Sequence, residues 1–150
     1  MRKTALLTAV VAMTVLGGVA HPALAHGDDQ KALGWGHTFH TNQFWFQAYK
    51  DGDGGWGTFK YESATFTLFC KGYDVVRIKD GDHGKDALLV STYCRAGDGS
   101  EGYRLWVDAI DRGCGGSNDS IKVRVVDSEG VRVVVDQGGR IKDGDIIVEP

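Results

Sequence analysis

Gly102-Tyr-Arg-Leu-Trp-Val-Asp-Ala-Ile-Asp-Arg-Gly-Cys-Gly-Gly-Ser-Asn-Asp-Ser-Ile-Lys-Val-Arg-Val-Val126 is the most informative stretch of this chain. Tyr103, Leu105, Val107 and Ala109 alternate with Arg104, Trp106 and Asp108. Ile121, Val123 and Val125 alternate with Lys122 and Arg124. A period of two places each set on one face of a pleated strand. The residue types, β-branched and aromatic, suit a half-buried sheet. Between the two runs, residues 111–119 combine glycines, which accept positive φ, with Asn and Asp, which cap local turns. The segment therefore reads as strand, acidic glycine loop, strand. Its outward face is mixed, because Trp106 and Ile110 share it with Asp108, so either a loop covers that face or a second layer packs on it, the second being the commoner reason.

The same alternation recurs along the chain. In Gln43–Tyr49, Phe44, Phe46 and Ala48 oppose Trp45, Gln47 and Tyr49. Further runs follow at Trp56–Glu62, Ala64–Cys70, Tyr73–Lys79 and Ala87–Cys94. After the quoted pair come Val131–Val135, a Gly138-Gly139 turn, and short segments near Arg140–Lys142 and Asp145–Val148. Glycine is abundant, at 22 residues against two prolines. Eight to ten short strands with glycine-rich turns, and no substantial helix, predict an all-β antiparallel fold. A β-sandwich is favoured over a barrel because several strands carry apolar residues on both faces.

The N-terminus reads as a secretory signal peptide over residues 1–25. Arg2 and Lys3 precede an apolar run, and Ala23-Leu-Ala25 forms a small-x-small cleavage site. An irregular arm over 26–42 and a β-domain over 43–150 complete the expected organisation. Without Arg2 and Lys3, 15 basic residues face 20 acidic ones, so the net charge moves from −3 to −5. The cations are scattered, which gives no nucleic-acid footprint. No membrane span follows the signal.

Export makes a disulfide the default use of Cys70, Cys94 and Cys114. A hairpin turning at Asp82 places Cys70 opposite Cys94. Cys94–Cys114 competes, with the first pairing narrowly ahead.

Lys71-Gly-Tyr-Asp-Val-Val-Arg-Ile, Gly102-Tyr-Arg-Leu-Trp-Val-Asp-Ala-Ile-Asp, Asn118-Asp-Ser-Ile-Lys-Val and Gly144-Asp-Ile-Ile-Val together resemble the post-COAP-1 domain and related modules of secreted bacterial proteins. Gly55-Trp-Gly-Thr-Phe-Lys-Tyr also fits. The resemblance spans roughly Gln43 to Val148. It implies an exported β-sandwich module and no catalytic residues.

Three chemistries have candidate residues. Calcium takes six to eight oxygens, and Asp108, Asp111, Asn118 and Asp119 flank or lie in one acidic loop as a candidate structural site. Ordinary turn chemistry is the competing explanation of every Asp-Gly pair here. Copper is suggested by His26, which cleavage makes the first residue, with His37, His40 or His83 as a second imidazole. A glycan platform is suggested by Trp35, Trp45, Trp56 and Trp106, against the commoner fate of tryptophan as core. No nucleophile elbow or ordered Ser/His/Asp set is present. The expected function is that of a secreted, non-catalytic structural or interaction module with a protein or glycan partner outside the cell. The alternative is a metal-binding protein.

Overall fold

A computed structural model describes residues 30–38, 41–113, 116 and 118–150. The described residues form β1 (Lys31–Thr38), β2 (Gln43–Asp51), β3 (Gly54–Glu62), β4 (Thr67–Tyr73), β5 (Val75–Gly81), β6 (Gly84–Ala96), β7 (Glu101–Asp111), β8 (Ser120–Val126) and β9 (Val133–Glu149), with no helix among them. The expected signal peptide, 1–25, lies outside them.

The strands do not stack as a sandwich. Neighbours run β4-β3-β2-β1-β9-β8-β7-β6, all antiparallel, and β4 returns to pair with β6. Eight strands thus close an up-and-down barrel. β5 is the extra strand, a hairpin partner of β6 continuing the line of β4. The sandwich, which the module resemblance also implied, is corrected on two observations. β1 pairs with β9, joining the two ends of the chain's strand series. The apolar residues on the second face of the strands meet solvent rather than another layer: Trp35, Trp45 and Trp56 are exposed.

The interior is filled by one side of every strand. Phe44, Phe46 and Ala48 of β2 meet Phe59 and Tyr61 of β3. Leu105, Val107 and Ala109 of β7 lie in register with Val125, Val123 and Ile121 of β8. Fully burying such side chains stabilises by about 1.5–3 kcal/mol each. The outward positions carry Lys31, Lys60, Lys71, Arg104, Lys122 and Arg124. A lipid-spanning barrel has the reverse pattern, with an apolar band outside.

Residues 31–38, expected to be irregular, are a strand held by pairing with β2 on one edge and β9 on the other, and their inward positions are almost without side chains. Ala32, Gly34 and Gly36 face the interior. A Cβ on Gly34 would overlap the Phe46 ring, and one on Gly36 would strike the Asp143 carbonyl. The glycines therefore make room for a neighbour's aromatic ring and a close backbone approach, which removes the apolar period that a strand normally shows. Likewise 133–149 is one strand, not three pieces. Its first half pairs with β8 and its second with β1, bending through Gly138 and Gly139.

Closure is weakest between β4 and β6. Only Leu68–Ala96, Phe69–Arg95 and Cys70–Cys94 pair there. Cys70 and Cys94 are bonded, with Cα atoms 4.0 Å apart. This is the pairing that the sequence narrowly favoured. The β5–β6 turn is Gly81-Asp-His-Gly84, half a residue from the expected centre, and one extra residue where β4 passes into β5 around Asp74 restores the facing of the two cysteines. The bond points to an oxidising setting.

Candidate functional site

The acidic loop between β7 and β8 holds Asp111 and Asp119 at the end of β9. Asp119, with no exposed surface, accepts the Arg112 amide on Oδ1 (2.9 Å) and the Ile146 amide on Oδ2 (3.0 Å). Asp111 accepts the Gly113 amide on Oδ1 (2.8 Å) and the Val148 amide on Oδ2 (3.0 Å). β8 begins at Ser120, opposite Arg140, so it does not reach the last residues of β9. The two carboxylates stand in for that missing strand. Burial pushes the Asp119 carboxyl up, with Asp111 and Asp145 adding to the rise and the two amides opposing it.

Of the other calcium candidates, Asp108 lies on the outer face of β7 opposite Lys122, and Asn118 is exposed, offering its carbonyl to Arg112 (2.7 Å). Among the described residues, no three His, Cys, Asp or Glu side chains are grouped to hold a metal ion. His26, His40 and Cys114 lie outside those residues. His37 is the last residue but one of β1, its ring Nδ1 2.5 Å from Asp143 Oδ1, while His83 sits in the β5–β6 turn.

The outer face of β1–β3 differs from the rest of the surface. Trp35 and Trp45 face each other across β1 and β2, 57% and 43% exposed. Tyr49 and Trp56 face each other across β2 and β3. Their rings stack with centroids 4.0 Å apart and planes 11° from parallel, and Trp56 is 59% exposed. Between the aromatic pairs lies the polar pair Gln47–Thr58, and Lys60 stands opposite Trp45. Trp45 and Tyr49 are four residues apart on β2, which at strand rise is about 13 Å. The face is therefore a strip of aromatic, polar and aromatic rows.

Sequence alternation put Trp45 and Tyr49 on the face opposite Phe44 and Phe46, and that was the readable signal, whereas Trp35 lay in the segment expected to be irregular. Side-chain size argued for core, but the inward side of each strand was already filled. Trp106, the fourth candidate, is half-buried on β7. In the closed order, β7 and β8 lie across the barrel from β2 and β3. The four tryptophans thus form two surfaces rather than one.

At the interior end near β3, Tyr61 donates to Gln137 Oε1 (3.1 Å), which also accepts from Asn42. Tyr73 directs its hydroxyl at the carbonyls of Gln47 (3.1 Å) and Thr58 (2.8 Å), beneath the aromatic strip. Burial raises both phenols' pKa values, far more for Tyr73 than for Tyr61, where an Asn42 hydrogen bond works against it.

No family model matches this chain, and neither a curated protein nor a solved structure does.

Proposed function

We propose that the protein is an exported, non-catalytic binding module that holds saccharide on the outer face of β1–β3. The observation that carries this reading is the exposure of Trp35, Trp45 and Trp56 on one face, interleaved with Gln47, Thr58 and Lys60. Indole and phenol rings cost little conformational entropy to present, and they join an apolar plane to a polar edge. A pyranose ring lays its C–H face on such a plane. Its hydroxyls need donors and acceptors alongside, which the amide, hydroxyl and ammonium of this strip supply. Exposed apolar groups rimmed by polar ones are a mark of an interaction surface. Export is supported by the Ala23-Leu-Ala25 cleavage pattern behind a basic and apolar leader, and by the Cys70–Cys94 bond.

The test is a retention panel of the oxidised protein on insoluble cellulose, chitin and peptidoglycan, with soluble glucans in affinity gels. Retention on at least one polysaccharide is expected, together with its loss in Trp45→Ala. Retention on none, or equal retention by Trp45→Ala, refutes the reading.

A further inference from the structure

We infer a second ligand site, for an acidic saccharide, in the groove over β7 and β8. The groove has a volume of about 460 Å³ and is lined by outward positions of β7 (Arg104, Trp106, Asp108) and β8 (Lys122, Arg124, Val126), with Gly130 of the β8–β9 turn at its end. Trp106 faces Arg124, Asp108 faces Lys122, and Arg104 faces Val126. The half-buried indole is the apolar floor, with Val126 beside it.

The charge of this groove runs against that of the molecule. The chain carries −3 overall, whereas the groove gathers Arg104, Lys122 and Arg124 against Asp108 alone. None of the three cations has an ion pair among the described residues. Asp136 faces Arg124 from β9 without forming one. Three cations gathered around one indole, on a chain whose net charge is negative, form a local positive field. Guanidinium groups match carboxylate and sulfate in planar, two-toothed geometry. The ring that bears the anionic group lies on Trp106.

Asp108 can accept hydrogen bonds from the hydroxyls that a saccharide presents around its ring. A single indole with Arg104 beside it on β7 and Arg124 across from it on β8 fits one or two charged rings better than the extended basic track that a nucleic-acid strand follows. The site is independent of the β1–β3 strip, since the two lie on opposite sides of the barrel.

The experiment is a tryptophan-fluorescence and calorimetric titration of the oxidised protein at low and moderate salt. The probes are oligogalacturonate, chondroitin sulfate oligosaccharide, a neutral cello-oligosaccharide and a single-stranded oligonucleotide. At least one acidic saccharide binds, its affinity falls as salt rises, and Arg104→Ala and Arg124→Ala each weaken it by about tenfold or more. Trp106→Ala also weakens it, whereas Trp45→Ala leaves it unchanged. Uronate and sulfate probes identify which anionic group is preferred. Thermal melts of each variant confirm that the fold persists, as expected for outward positions. Three results overturn the inference: no acidic saccharide binds at low salt, Arg104→Ala and Arg124→Ala bind as the wild type does, or the oligonucleotide binds more tightly than every saccharide.

Discussion

Replacing Cys70 and Cys94 together with alanine opens the staple where the barrel closes on its shortest ladder. The two cysteines are 24 residues apart in sequence, and in the chain-entropy account a loop of that length contributes about 3.4 kcal/mol. For a domain near this size each kcal/mol moves the melting temperature by about 4 °C, so a fall of about 14 °C is expected. The assay is a circular-dichroism melt of oxidised protein, reduced protein and the double variant. The last two should coincide. Hydrogen exchange adds a spatial readout: amides of Leu68–Cys70 and Cys94–Ala96 should lose protection before those of the β7–β8 ladder. A melting shift below about 3 °C refutes the reasoning, given the scale that the loop length sets. Peptide mapping that joined Cys94 to Cys114 would refute it outright.

Two further expectations come from buried polar groups. Asp119→Asn keeps one acceptor for the Arg112 and Ile146 amides and turns an N–H toward the other, so urea denaturation should show a loss of about 1–3 kcal/mol. Unchanged stability would mean that the carboxylate does not anchor β9. Burial raises the pKa values of Tyr61 and Tyr73, so the folded state holds these phenols neutral. That stability is fully present below the unfolded tyrosine pKa of about 10 and is lost as pH rises beyond it. Absorbance at about 295 nm should therefore show Tyr61 and Tyr73 ionising only as the barrel unfolds in alkali, and Tyr73→Phe should reduce the alkaline loss. Smooth titration of every tyrosine while the fold persists would contradict this.

The paired strands β7 and β8 were legible because a filled inward face and a charged outward face give a clean period of two. Cys70–Cys94 was legible because the β5–β6 hairpin brings the two cysteines near each other, although their exact facing depends on an extra residue around Asp74 that the sequence did not announce. Closure was not legible. It depends on β1 meeting β9, a pairing between the ends of the strand series that no local pattern encodes. β1 was hidden as well, because Gly34 and Gly36 stand where inward side chains normally announce a strand. The choice of sandwich over barrel failed on the tryptophans. Apolar residues on two faces imply a second layer only if both faces are buried, and burial is not written in the residue type. The acidic loop was correctly located, yet the partners of Asp111 and Asp119 on distant β9 could not be read from sequence.

The central claim is that the aromatic strip on β1–β3 is the binding surface. Its most direct test is the binding isotherm of Trp35→Ala, Trp45→Ala and Trp56→Ala on the polysaccharide that the panel retains best. Each substitution should weaken binding by about tenfold, as expected for a tryptophan anchor. The melting temperature should barely move, because each indole lies on the outer face, outside the packed interior. Full affinity in the triple variant, with the fold intact, would contradict the account.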